Sequence, residues 1–196
     1  MDRKLLAWGL RRRPGGLPRL WLFTDDKRLP DPRRAVARLP HGRAGVVLRH
    51  DGAAARVALG RDVARICRAR RLTLVVAGDV RLAHALGAGV HLRRGWRPGV
   101  VRLRRPVTSS AHSVPELRRA ARAGAALAFL SPAFPTASHQ NAPALGPARW
   151  AALAGRLRAT PGAIRLAALG GVDGDTIRRL PSWTCQAAGA VGALSG

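Results

Sequence analysis

The chain carries ten carboxylates and six histidines, and their positions suggest two kinds of chemistry. His112 follows the small, hydroxyl-rich Ser109-Ser110 and immediately precedes Ser113-Val114-Pro115-Glu116. An imidazole changes charge near neutral pH, so at the rim of a binding site it can take a proton from one atom and return it to another. The same ring on a plain loop would only hydrogen-bond a neighbour, and spacing alone leaves both readings open. Gly170-Gly171 closes an apolar run ahead of a helical pattern; such a pair lets backbone amides approach an anion closely, although in isolation it is also an ordinary tight turn. Leu194-Ser195 ends the next apolar run and can add its amides to the same anion. His91, two residues after Gly89, reads as a core histidine, and His139 lies in the polar stretch Thr136–Asn141, where it either closes over a ligand or is solvated.

The elements that must hold these groups alternate. Apolar, β-favouring runs fall at Leu20–Thr24, Gly45–Arg49, Leu72–Ala77, Gly89–Leu92, Val107–Ser110, Ala126–Ser131, Ile164–Leu169 and Ala190–Leu194. Helix-period runs fall between them at Pro32–Leu39, Arg61–Arg70, Val80–Leu86, Val114–Ala123, Pro147–Arg158 and Gly174–Leu180. Ser113 and Glu116 form a capping box, in which a hydroxyl and a carboxylate each satisfy a free backbone amide, and Asp173 is placed to cap the last of these helices. The link Arg93–Pro106 holds one short helical turn at most, because two prolines and two glycines interrupt it.

Eight strands with intervening helices predict an α/β chain folded as a single (β/α)8 TIM barrel, since closure removes both sheet edges; an open doubly wound sheet is the alternative. The outer helix ring is expected to be incomplete. No helix is read after the eighth strand, so the N-terminal Arg3–Arg12 is expected to cover the gap. The chain thus divides into a basic, helix-compatible segment at 1–18 and a barrel at 19–196. In a barrel, chemistry belongs to the loops after the strand ends, where Asp25, Asp26, Asp51, Asp79 and Asp173 also fall.

Composition narrows the function. The 35 basic and 10 acidic residues give a formal charge of +25, which ordinarily points to a polyanion such as nucleic acid. Lysine, however, occurs only at Lys4 and Lys27, and arginine rises together with alanine, glycine and proline, as GC-rich codon usage would produce. Arg61, Arg65 and Arg68, like Arg118, Arg119 and Arg122, sit at the spacing of a solvated helix face, so nucleic acid is not the expected partner. Cys67 and Cys185 have no metal-ligand spacing and read as small buried hydrophobes. No apolar run approaches the roughly 20 residues that cross a bilayer, and the first residues lack the features of a secretory signal, so a soluble, cytoplasmic protein is expected.

From about Leu20 onward, five segments occur in a telling order. They are Gly87-Ala-Gly-Val-His-Leu92, Ser110-Ala-His-Ser113 with Glu116-Leu117, Leu130-Ser-Pro-Ala-Phe-Pro-Thr136, Ala168-Leu-Gly-Gly-Val172 and Gly189-Ala-Val-Gly-Ala-Leu-Ser195. This series resembles the thiamine phosphate synthase and thiazole tautomerase (TenI) family. The resemblance implies a thiazole phosphate as small-molecule ligand, held by Gly170, Gly171, Leu194 and Ser195, with Thr136 beside it. It also makes His112 the counterpart of the histidine with which the tautomerase moves a proton. In the synthase, an aminopyrimidine pyrophosphate and Mg2+ would occupy the other side.

There the chain departs from the family pattern. Of Gln-x-Arg-Glu-Lys only Arg49 remains, and Asp51 stands where the lysine is expected. Asp79 keeps one metal-binding position, but Arg93-Arg94-Gly95-Trp96 holds no second aspartate, and His139 replaces a lysine. One carboxylate is a poor site for a hard dication. The expected function is therefore thiazole phosphate binding with tautomerase-like proton transfer by His112. Thiamine phosphate synthesis using Arg49, Asp79 and Mg2+ is the alternative, and a non-catalytic phosphate or nucleic-acid binder is the third. The resemblance is also compatible with a homo-oligomer.

Overall fold

The computed structural model describes residues 1–11, 16–52, 55–96, 106–136, 143–158 and 164–196. Its centre is a closed barrel of eight parallel strands in sequential order. These are β1 Leu20–Phe23, β2 Ala44–Leu48, β3 Thr73–Ala77, β4 Gly89–Leu92, β5 Val107–Ala111, β6 Leu127–Leu130, β7 Arg165–Ala168 and β8 Ala187–Ala190. Closure is made by β1 against β8, where Leu20, Trp21 and Leu22 register with Ala188, Gly189 and Ala190. The helices are α1 Arg3–Leu10, α2 Arg33–Arg38, α3 Arg56–Ala69, α4 Val80–Ala85, α5 Val114–Arg122, α6 Gly146–Arg158 and α7 Gly192–Ser195. None of the described helices is long and apolar enough to cross a membrane.

Alternation along the strands creates two apolar layers. Leu20, Leu22, Val46, Leu48, Val90 and Leu92 belong to the layer shared with the helices, whereas Trp21, Phe23, Val47, Val75, Leu127 and Phe129 cluster inside the barrel. The rings inside meet edge to face: Phe23 and Phe129 lie 4.7 Å apart between centroids, and Trp21 and Phe129 5.7 Å. Space for them comes from glycine. A Cβ on Gly45 would collide with the Trp21 ring, and one on Gly189 would lie 2.7 Å from Phe23 Cε2.

Three expectations need correction. The eighth strand is Ala187–Ala190, not Ala190–Leu194, and the residues beyond it form the one-turn α7 where no helix was expected. Of this strand, Ala187 and Gly189 face the interior, where Gly189 leaves room for Phe23 and Phe129, whereas Ala188 and Ala190 lie in the layer shared with the helices. The helix expected at Gly174–Leu180 is reduced to a 3-10 turn at Ile177–Arg179, and Asp173 instead closes a local turn by accepting from the amides of Asp175 and Thr176. The third helix begins at Arg56 rather than Arg61. The expected helical turn in Arg93–Pro106 falls largely outside the described residues.

α1 runs down the outside of the barrel. Asp2 caps it by accepting from the Leu5 amide, Leu5 is fully buried, and Gly9 is pressed so closely onto Leu20 that no Cβ would fit. Arg19 lies 4.0 Å over the Trp8 ring on the same helix, a cation–π contact. Both cysteines are free and buried, and burial pushes their thiols up to about 12, so neither is a ready nucleophile.

His91 is fully enclosed, with Nδ1 2.9 Å from Thr108 Oγ1 and its ring edge to face with Phe23. Burial, reinforced by the positive charges of Arg49 and Arg93, pushes this imidazole down to about 3 from an ordinary 6.5. The unfolded chain takes up a proton that the folded barrel refuses, so stability is lost as pH falls from 6.5 toward 3, by at most about 1.4 kcal/mol per pH unit. Urea midpoints measured between pH 7 and pH 4.5 are expected to fall in the parent and to stay flatter in His91→Gln, which keeps a polar partner for Thr108. Parallel curves for the two proteins would contradict this account.

Candidate active site

The C-terminal ends of the strands gather the polar loops at one rim of the barrel, and this rim divides into two halves. The first half surrounds β1 to β4 and is built from arginine and aspartate. Arg49, just beyond β2, donates from Nε to the Thr24 carbonyl at 3.0 Å and from Nη2 to Asp25 Oδ2 at 3.0 Å, with its guanidinium over the Phe23 ring. Burial lowers the Arg49 guanidinium below its ordinary value, while Asp25 and Asp51 oppose that shift. Asp25 responds in kind: burial works against its charge, but the Arg28 amide, the Arg49 guanidinium and the Lys27 amide together hold its carboxyl below the usual carboxylate range.

Asp51 is bound from two sides. Arg56, from the first turn of α3, reaches its Oδ1 at 3.1 Å, and Arg93, from the loop after β4, bonds its Oδ2. Arg56 also donates to the Ala77 carbonyl at 2.7 Å and lies 3.9 Å from Asp79. Its Nε is buried with no hydrogen-bond partner. Asp79 has a structural task as well, capping α4 by accepting from the Leu82 amide at 2.8 Å. Three arginines thus face three aspartates across the loops of β1 to β4.

A magnesium ion does not fit this donor set as it stands. One oxygen of Asp79 caps a helix and the other faces Arg56, so a dication between Asp51 and Asp79 would have to displace a guanidinium. Among the described residues no group of three or more His, Cys, Asp and Glu converges as a metal site. His50, although buried, is also committed: Nε2 is 3.2 Å from the Pro30 carbonyl and Nδ1 is 2.9 Å from Thr24 Oγ1. Because a carbonyl only accepts, Nε2 carries the hydrogen.

The second half of the rim, from β5 to β8, carries His112. The capping box forms one residue out of register: Ser113 Oγ accepts from the Glu116 amide at 3.4 Å, while Glu116 Oε2 takes the amide of His112 at 2.7 Å. Glu116 thereby fixes the backbone of the histidine itself. The exposed ring places Nδ1 2.8 Å from the Ser131 carbonyl. That carbonyl requires a donor, so Nδ1 holds the hydrogen and Nε2 presents a lone pair, the arrangement of a general base.

The imidazole and the glycine pair lean on the same segment. Ser131, His112's partner, precedes Pro132 across a cis peptide bond, and a Cβ on Gly170 would lie 3.1 Å from Pro132 Cα. Gly171 is needed for two reasons. Its φ of 61° lies in the left-handed region, and a Cβ there would collide with the Pro135 carbonyl and sit 2.8 Å from Phe134 Cβ. Its own carbonyl accepts from Thr176 Oγ1 at 3.0 Å. After the neighbouring β8, the Leu194 side chain is wholly buried, and Ser195 Oγ bonds back to the Gly192 carbonyl at 3.1 Å. Thr136 lies half-buried at the end of the β6 loop, and His139 falls outside the described residues.

A family model described as thiamine monophosphate synthase (TMP-TENI) matches residues 20–194, nearly the whole chain. The chain belongs to the thiamine monophosphate synthase family. It is 34% identical over 128 residues to a thiamine-phosphate synthase from Geobacillus thermodenitrificans, a match covering 62% of this chain and 56% of that protein. The chain therefore spans little more than half of this curated relative's length. Thiamine phosphate pyrophosphorylase from Pyrococcus furiosus superposes with a TM-score of 0.73 at 20% identity, covering 91% of this chain and 88% of that one. A thiamine phosphate pyrophosphorylase from Bacteroides thetaiotaomicron gives 0.55 at 13% identity, covering 90% and 84%. A KDPG aldolase from Legionella pneumophila also gives 0.55, at 16% identity and 88% and 82% coverage. At such identities the likeness speaks for the fold alone, which is the closed barrel expected from the sequence.

Sequence reasoning missed Arg56, which the early start of α3 brings to the rim, and the pairing of Asp51 with both Arg56 and Arg93. The spacing of Leu59, Val63 and Cys67, with Gly60 and Ala64 beside them, marks the buried face of a helix that starts before Arg61. A cavity of about 190 Å3 lined by Leu157, Ile164, Trp183 and Thr184 lies at the opposite end of the barrel, away from all these groups. Gly171→Ala is expected to cost about 2 kcal/mol or more in urea denaturation. Gly124→Ala shares a positive φ but has nothing within 4 Å, so it should cost less. Equal losses would mean that the crowding at Gly171 is easily relieved.

Proposed function

We propose that this chain binds a thiazole phosphate over the β5 to β8 half of the rim and shifts a proton on the thiazole ring through His112. The observation that carries this reading is the bond from His112 Nδ1 to the Ser131 carbonyl, which turns the lone pair of Nε2 outward from an exposed ring. Backbone amides of Gly170, Gly171 and the Leu194-Ser195 turn would hold the phosphate, with Thr136 beside it. Nε2 removes a proton from one ring position and, as the imidazolium, returns it at another, so substrate and product are isomers and no co-reactant is consumed. A phosphate held by backbone dipoles keeps the ring within reach of Nε2 through both transfers.

The alternative is thiamine phosphate synthesis, in which the chain would join an aminopyrimidine pyrophosphate to the thiazole phosphate. The names of its relatives and the rim arginines Arg49, Arg56 and Arg93 favour that reading. Asp51 works against it, because its carboxylate already satisfies two of those arginines and would repel a pyrophosphate. Mg2+ would be required only in that reaction, with Asp79 as its remaining carboxylate.

The two readings separate in one set of assays. With thiazole carboxylate phosphate and excess chelator, isomerisation followed by NMR is expected in the parent and is expected to vanish in His112→Ala. Turnover unaffected by that substitution would sink the tautomerase reading. Formation of thiamine phosphate from both substrates, only when Mg2+ is added, would instead establish the synthase. Removing the internal counter-anion in Asp51→Ala should tighten inorganic pyrophosphate binding about tenfold in calorimetric titration. Unchanged affinity would show that Asp51 does not restrict that half of the rim.

A further inference from the structure

The loops after β7 and β8 come from separate strands, yet one residue outside the barrel joins them, the first through its side chain and the second through its backbone amide. Asp2 Oδ2 accepts from the Gly174 amide at 2.8 Å, three residues beyond Gly171, and the Asp2 amide donates to the Ala193 carbonyl at 2.8 Å, within α7. The second carboxylate oxygen, Oδ1, caps α1 through the Leu5 amide at 2.9 Å. One residue therefore ties the N-terminal helix to both rim loops.

The attachment is close. A Cβ on Gly174 would collide with Lys4 Cβ and lie 2.6 Å from the Leu5 amide nitrogen, so the β7 loop rests directly on the first turn of α1. Lys4 adds an exposed ion pair to Asp175 at 2.8 Å, which contributes little by itself. Inside the loop the restraint continues toward the glycine pair. Asp173 Oδ1 accepts from the Thr176 amide at 2.7 Å, and Thr176 Oγ1 donates to the Gly171 carbonyl at 3.0 Å. A bonded path thus runs from Gly171 through Thr176, Asp173 and Gly174 to Asp2, and from Asp2 to Ala193.

An anion that takes amides from two loops gains from both only when their spacing is already fixed; otherwise ordering the loops consumes part of the binding energy. We infer that Asp2 is a positioning residue of the phosphate site, holding the loops after β7 and β8 at the separation an oxyanion requires. This rests on the reading of those loops as the phosphate grip and gives α1 a part in ligand affinity as well as in covering the barrel.

The test uses the full chain and inorganic phosphate, titrated by calorimetry and by amide chemical shifts of residues 171 and 193. Asp2→Ala is expected to weaken phosphate about tenfold, while Asp2→Asn, whose amide oxygen can still accept one bond, recovers part of the loss. Leu5→Val serves as the control: it trims the same helix in the core and lowers stability, but leaves phosphate affinity at the parental value. Parental affinity in Asp2→Ala, or an equal loss in Leu5→Val, would overturn the positioning role while leaving the phosphate site standing. If the parent itself fails to bind phosphate, the grip between the two loops and the role of Asp2 fall together, a result separable from the first because the parent is silent.

Discussion

The fold depends on fitting Trp21, Phe23, Phe129 and His91 into one narrow cylinder. Their edge-to-face contacts fill the interior, and room for them comes from the missing side chains of Gly45 and Gly189 on the strands that flank β1. Gly189 is the β8 position that this packing requires, and the pairing of β8 with β1 shuts the barrel. Once shut, the cylinder fixes which loops are neighbours at the rim. The burial that sustains this packing also strips His91 of its proton affinity, making it a packing residue despite its chemical type.

The rim above that core carries two contrasting surfaces. Around β1 to β4, charge is satisfied internally: Arg49 with Asp25, and Arg56 and Arg93 with Asp51. Around β5 to β8 lie two glycines in the left-handed region and an imidazole whose tautomer is set by a carbonyl. The first surface would have to release a bond before taking a ligand, whereas on the second the His112 ring is exposed and bonded through Nδ1. Membership of the thiamine monophosphate synthase family is compatible with either surface being used.

Much of the barrel was readable in the sequence because most strands are apolar runs such as Leu72–Ala77 and Ala126–Ser131, flanked by turn residues and helical periods. The eighth strand was misread because Ala187–Ala190 has no β-branched residue, and its conformation is imposed by β1 and β7 through tertiary pairing. His112 and the glycine pair were visible as types in position, and the capping box at Ser113 and Glu116 could be anticipated. That Glu116 would instead grip the amide of His112 could not, since it depends on a shift of one residue in a cap. The Asp51 pairing was equally hidden, because Arg56 and Arg93 belong to different loops and meet only when the barrel closes.

The seam between β1 and β8 also sets an order of events at the ribosome. Leu20–Phe23 is among the first strands to emerge, yet one of its two hydrogen-bonding neighbours is Ala187–Ala190, and α1 waits for Gly174 and Ala193. At about 5–20 residues per second, an apolar strand edge and an undocked amphipathic helix persist through most of translation. The nascent chain thus carries an unpaired strand edge that its own fold cannot cover until β8 has been made.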